Sequence, residues 1–171
     1  MDFKELIQTR RSIRKFRAEE VEEEDLREIL EAARLAPSAS NLQPWKFIVI
    51  KSDKKKRLIA QAAGGQEFVG EAPVVIIACA TGRGGFIGGY MESWPVDVAI
   101  SVTHLLLAAW DRGLGTCWIG DFDEEKVKEI CEIPPEVRVV AIVPMGYPVK
   151  IPQATSRRPW EKIVSMETFG E

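Results

Sequence analysis

The sequence predicts an α+β fold in which helices flank a mixed central sheet, and three observations carry that expectation. "PVVIIACA" at 73–80 is an unbroken apolar run of strand length, the signature of a strand covered on both faces. "DVAISVTHLLLAAWDRG" at 97–113 is a helix apolar almost all round, which must lie in the middle of a domain or in a subunit interface. Helical and strand segments also mix without the strict alternation of a doubly wound sheet, which favours a layered arrangement.

The remaining elements follow in chain order. Phe3, Leu6 and Ile7 recur at helical spacing, predicting a helix over 2–10 that runs into a basic stretch. Leu26, Ile29, Leu30 and Ala33 keep the i, i+3, i+4, i+7 pattern, with carboxylates in the first turn and Pro37 beyond the end, so a second helix spans 22–35. "KFIVIK" at 46–51 reads as a strand and 53–63 as a helix capped by Asp53, with Lys54 to Lys56 facing water. A short strand at 115–120 lies between glycines, and 121–130 is a helix opened by an Asp121–Glu124 capping box. "VRVVAIVPMG" at 137–146 is another strand, and "KIV" at 162–164 is a candidate last one in a basic, extended tail.

With 171 residues the chain fits one domain, 1–171, and a composition 46% hydrophobic and 29% charged is that of a folded globular protein. No apolar run reaches the ~18 residues of a membrane span, and the N-terminal stretch lacks the apolar core of a signal peptide, so a cytoplasmic protein is expected. Cys79, Cys117 and Cys131 are odd in number and widely spaced, which supports reduced thiols and neither a disulfide frame nor a metal site.

Charge is unevenly placed along this chain of net charge -3: six basic and two acidic residues in 1–17, eight acidic and one basic in 19–31, four basic and one acidic in 150–162. Two compact basic clusters near the chain ends suit a small anionic ligand better than a nucleic acid, whose binders carry long basic stripes.

"TGRGGFIGG" after the apolar strand has the wrong spacing for a dinucleotide loop, because Ile87 stands where the third glycine would fall. His104, the single histidine, lies within the apolar helix and reads as a core residue rather than a base. No nucleophilic triad is apparent, so an enzyme of this sequence needs a cofactor to carry its chemistry. Two stretches stand out: "TRRSIRKF" at 9–16, with three arginines around Ser12, and "PSASNLQPW" at 37–45, a helix exit rich in small hydroxyl and amide groups suited to a polar ring edge.

Together with "AP" before the strand at 72–80, "GLGTCWIGDFD" at 113–123 and "SRRPWEKIV" at 156–164, these motifs resemble the nitroreductase family of FMN-dependent oxidoreductases in its short form. The resemblance spans nearly the whole chain and implies the nitroreductase-like fold in an intertwined homodimer. It implies that Arg10, Arg11, Ser12 and Arg14, with Arg157 and Arg158 from the tail, contact FMN, the arginines through its phosphate. It implies further that Pro37, Ser38, Ala39, Ser40, Asn41 and Gln43 contact flavin held mainly by the other subunit, that Trp118, Ile119 and Gly120 lie by the ring, and that Gln66 is a weaker candidate for the pyrimidine edge.

The implied activity passes a hydride from NADH or NADPH through FMN to a nitroaromatic, quinone or similar small-molecule acceptor by a ping-pong mechanism, with no essential side-chain acid or base and no metal. A flavin-binding redox sensor or carrier, or a specialised chemistry such as flavin fragmentation, dehalogenation or dehydrogenation, stays open. So does the role of 82–95, where Phe86, Tyr90 and Trp94 serve either as a lid that stacks on the acceptor or as packing.

Overall fold

A computed structural model describes residues 1–170. In chain order it contains α1 (Phe3–Thr9), α2 (Glu23–Arg34), β1 (Trp45–Ile50), α3 (Asp53–Ala62), α4 (Glu67–Glu71) and β2 (Val74–Ala80). There follow a small hairpin of β3 (Phe86–Ile87) and β4 (Met91–Glu92), then α5 (Trp94–Asp111), β5 (Gly115–Thr116), α6 (Glu124–Cys131) and β6 (Arg138–Gly146). Short 3-10 turns lie at Ala39–Asn41 and Trp160–Lys162. No helix among the described residues is long and apolar enough to cross a membrane.

The main sheet has the order β1-β2-β6-β5, each pair antiparallel. A parallel bridge between Ser12 and Thr116 adds the basic segment at the β5 edge and makes the sheet mixed. Every residue of β2 is buried. Its Val74, Ile76, Ala78 and Ala80 face a core made with α2 and α5 through Leu26, Ile29, Val98, Val102 and Leu105. Val75, Ile77 and Cys79 face the opposite core, made with α3, α4 and α6 through Ile59, Val69 and Val127. The continuous apolar run of β2 is thus what a strand covered on both faces needs.

Local chemistry departs from expectation at several ends. The helix at 97–113 begins three residues earlier, at Trp94, with Pro95 in its first turn where a missing N–H costs nothing. It buries one face and leaves Val96 and Thr103 exposed. Ser52, not Asp53, caps α3, its Oγ accepting from the Lys55 N–H, and Asp123 rather than Asp121 caps α6 by accepting from the Lys126 N–H. In both cases a cap residue one turn-register away competes for the same orphan amides.

Lys56 does not face water. It is 5% exposed, and its Nζ donates to the Ala72 carbonyl at 2.8 Å and pairs with Asp53 at 3.0 Å, which satisfies the charge inside. The 115–120 strand pairs continuously only over Gly115–Thr116 and returns to β6 as a single bridge at Ile119–Ile142. "KIV" is no strand: Lys162 closes a 3-10 turn, and neighbouring residues are exposed. The short α4 has too few residues to show a period.

The double burial of β2 sets a stability test. Ile76→Ala, at a site with no solvent exposure, will cost about 2–5 kcal/mol in denaturant unfolding. Phe86→Ala, at a site 70% exposed, will stay within about 0.5 kcal/mol.

Candidate functional site

The basic stretch begins where α1 ends. Arg10 caps the helix with extended backbone, and the chain then runs along the sheet edge, the Ile13 N–H donating to the Thr116 carbonyl at 2.8 Å and the Arg17 N–H to the Tyr147 carbonyl at 2.8 Å. Ile13 is buried and lies against the bare Cα of Gly115, where a Cβ would come within 2.4 Å of its side chain. Any larger residue at 115 would push the segment off the sheet. The indole of Trp110 fixes the helix end by donating to Thr9 Oγ1 at 3.0 Å.

Anchoring Ile13 inward groups the polar side chains on either side of it. Burial, and then the neighbouring charges of Arg157 and Arg11, lower the proton affinity of the Arg10 guanidinium below its ordinary value. Burial raises the Cys117 thiol above the usual range, opposed by Arg14, Arg10 and a hydrogen bond with Ser12, so those three surround it. Arg157, from a tail well over a hundred residues further along, and Arg11 therefore lie near enough to act on the charge of Arg10, while Arg10, Arg14 and Ser12 act on the Cys117 thiol. Arg158 lies apart in the exposed tail, lining a hollow with Glu161 and Lys162.

None of Arg10, Arg11, Arg14, Arg157 or Arg158 has a carboxylate partner among the described residues. Arg11 spends one nitrogen on the Gln8 and Arg10 carbonyls at 2.7 and 2.8 Å, while its Nε–H is buried with no acceptor. A buried donor without a partner costs about 1–3 kcal/mol, and here it stands among like charges. Clustered guanidiniums with a hydroxyl and an orphaned N–H are the donor set of a phosphate monoester, so the residues present fit that group.

The loop after α2 is built around three left-handed residues, Ser40, Asn41 and Gln43, with φ of 50°, 56° and 50°. None is glycine, so each needs an external hold. Ser38 Oγ accepts from the Gln43 N–H at 2.9 Å, the Gln43 amide donates to the Asn41 carbonyl at 3.0 Å, and the Ala39 N–H donates to Asp97 Oδ1 at 2.8 Å. Pro37, Ser40, Asn41 and Gln43 are exposed, Ser38 and Ala39 half-buried. Trp45, half-buried, joins the loop to the core.

At the end of β5 the amides of Cys117 and Ile119 point to β6, bonding Pro144 and Ile142. The intervening Trp118 and Gly120 N–H groups therefore face the open side of the sheet edge, by the alternation of a ladder. Of the three predicted residues there, Ile119 has its amide committed and its side chain buried. Gln66 is also committed, its amide nitrogen donating to the Ala63 carbonyl at 2.9 Å as α4 begins.

His104 is half-buried with Nδ1 3.3 Å from the Ala32 carbonyl. Trp94 is held by Glu92, accepting its indole N–H at 2.9 Å, and by Arg138 over its ring, so it packs. Phe86 and Tyr90 on the hairpin are 70% and 80% exposed. Sequence reasoning missed Ser93 and Asp97, whose signal was an acidic residue at the foot of an apolar helix, read only as an end. Among the described residues no group of three or more His, Cys, Asp or Glu could hold a metal.

Comparison with known proteins gives the family. The Nitroreductase family matches residues 7–67 and 59–147. The chain belongs to the nitroreductase family. It is 34% identical over 195 residues to an NADH dehydrogenase of Thermus thermophilus, covering 96% of this chain and 95% of that one. A nitroreductase family protein of Clostridium novyi NT superposes with a TM-score of 0.82 at 40% identity over 86% of each chain. An FMN-dependent nitroreductase of Clostridium difficile R20291 superposes with a TM-score of 0.83 at 31% identity, covering 96% and 98%.

The unpaired arginines of this nitroreductase-family chain predict an anion effect on stability. A saturating phosphate monoester will raise the Tm of the parent by about 5 °C or more in a thermal melt. Arg10→Ala will lose most of that rise, whereas an equal rise in both proteins would place the anion elsewhere.

Proposed function

We propose that the protein is an FMN-dependent oxidoreductase that takes a hydride from NADH or NADPH and delivers it to a nitroaromatic, quinone or similar electrophile in two alternating half-reactions. The observation that carries this reading is that Arg10, Arg11, Arg14 and Arg157 have no carboxylate partners among the described residues, while the charges of Arg11 and Arg157 bear on Arg10 and the Arg11 Nε–H is buried without an acceptor. The FMN named for the Clostridium difficile relative and the NADH named for the Thermus relative support the choice of cofactor and donor.

Redox chemistry is what FMN supplies when bound; the chain binds, orients and tunes. Arg10, Arg14 and Arg157 neutralise the phosphate dianion, with Arg11 Nε and the Ser12 hydroxyl as directed donors. When FMN is bound, the Trp118 and Gly120 amides would meet the ring edge, and the Pro37–Gln43 loop would offer hydroxyls and amides for the remaining polar atoms. No acid or base is assigned, since His104 is engaged with Ala32 and the buried thiols are held protonated, Cys79 pushed up to about 11. Arg158 and Gln66 stand in this reading as a phosphate contact and a pyrimidine-edge contact, Gln66 keeping its amide oxygen for the purpose.

The working unit is a homodimer, a single domain per chain, and it acts in the cytoplasm. The tail supports the dimer: Trp160, Ile163, Met166 and Phe169 are 72%, 62%, 83% and 98% exposed, an apolar series that the described residues leave largely uncovered. All three cysteines are free, in keeping with a reducing compartment.

The test is anaerobic mixing of the FMN-loaded protein with NADH and with NADPH, followed at the yellow flavin band. Bleaching by either, and recovery on adding a quinone or nitroaromatic, supports the reading. Protein that takes up no FMN contradicts it, and FMN that binds but does not bleach points to a redox sensor or carrier. In the same titration Arg14→Ala will weaken FMN binding by about tenfold or more, a charge-assisted bond's worth, and Lys15→Ala by far less.

A further inference from the structure

We infer that Asp97 is a positioning residue that holds the 37–43 loop and the 82–93 arm in one shared arrangement, a step that rests on the proposed flavin role of that loop. Asp97 is only 3% exposed and, among the described residues, pairs with no cation. A carboxylate buried without a counter-charge persists only where its oxygens are met by donors. The two oxygens are divided: Oδ1 accepts from the Ala39 N–H at 2.8 Å, and Oδ2 accepts from the Ser93 O–H at 2.7 Å.

Ser93 passes the hold onward. Its Oγ accepts from the Gly85 N–H at 2.7 Å and its own N–H donates to the Gly85 carbonyl at 2.8 Å, which clamps the foot of the β3–β4 hairpin. Gly84 has φ +68°, and a Cβ there would fall 2.3 Å from Ser93 Oγ and 3.0 Å from Asp97 Oδ2. Only glycine lets the arm close onto this pair. At Gly85 a Cβ would stand 3.6 Å from the Ala39 side chain, so arm and loop run side by side.

One carboxylate thus sets both the left-handed loop, which has no glycine to relax it, and the arm that carries exposed Phe86 and Tyr90. Ordering of the loop by FMN must then be felt in the arm, and the reverse, since coupling through a shared element is reciprocal. The chemistry of the pair is separable by substitution: an asparagine at 97 can still accept from the Ala39 N–H and leaves only the Ser93 O–H without its acceptor, whereas an alanine removes both links.

The two links can be separated by experiment, because Arg83 at the arm's base is exposed and its cleavage by trypsin reports opening. Cleavage after Arg83 is mapped by mass spectrometry with and without FMN, and FMN affinity is measured by fluorescence titration. In the parent, FMN will slow Arg83 cleavage about fivefold. Ser93→Ala will be cut about tenfold faster than the parent, will gain no protection from FMN, and will keep FMN affinity within about twofold because the Ala39 link survives. Asp97→Ala, which removes both acceptors, will both open the arm and weaken FMN about tenfold.

Parent-like cleavage in Ser93→Ala, FMN protection that persists in it, or unchanged affinity in Asp97→Ala would overturn the inference. If Asp97→Ala does not fold, judged by far-UV circular dichroism, the Ser93→Ala comparison decides alone. A parent that binds no FMN sinks the proposed function, while the FMN-free cleavage rates still decide whether Ser93 and Asp97 anchor the arm.

Discussion

A strand buried on both faces must be covered twice, and that requirement organises the rest of this molecule. β2 supplies alternate side chains to two cores, so α2 and α5 must lie on one side and α3, α4 and α6 on the other. Once α5 is fixed against β2, its foot fixes Asp97 and Ser93, and its end fixes Trp110 and the Thr9 hydroxyl. β6, paired to β2 along its length, holds β5, and β5 holds the basic segment through Thr116. The polar groups at the sheet edge are thus placed by apolar packing several residues away, the usual way a rigid scaffold presents a site.

Against that scaffold the arginine cluster is an electrostatic cost. Burial, and then the charges of Arg157 and Arg11, lower the proton affinity of Arg10, and leaving the Arg11 Nε–H buried without an acceptor adds a further penalty. Folded proteins tolerate such local conflict where a ligand relieves it. The contrast within the chain is informative: Arg34, Arg112 and Arg138 sit beside carboxylates, whereas Arg10, Arg11, Arg14, Arg157 and Arg158 pair with none among the described residues.

Fold class was legible because its signals are long: the run of β2, the period of α2 and the apolar length of α5 all outlast local ambiguity. Helix starts were less so, since Ser52 and Asp53, or Asp121 and Asp123, compete for the same cap and geometry alone decides. Lys56 was misread because a lysine run looks solvated until a strand end offers carbonyls to its ammonium. The site was legible in part. The clusters "TRRSIRKF" and "SRRPWEKIV" could be paired through a family resemblance, yet only the three-dimensional structure brings Arg157 beside Arg10 and sets Arg158 apart. Asp97 stayed hidden because one carboxylate at a helix start has an ordinary explanation, and its second partner, Ala39, is a backbone group with no mark in the sequence.

The central claim is that the unpaired arginines exist for a phosphate, and comparing FMN with riboflavin tests it most directly, because the two share the ring and ribityl chain and differ only in that group. Equilibrium titration of each at physiological ionic strength should find FMN bound at least about a hundredfold more tightly, two charge-assisted bonds' worth. That margin should shrink as salt rises. Equal affinities for FMN and riboflavin would contradict the account.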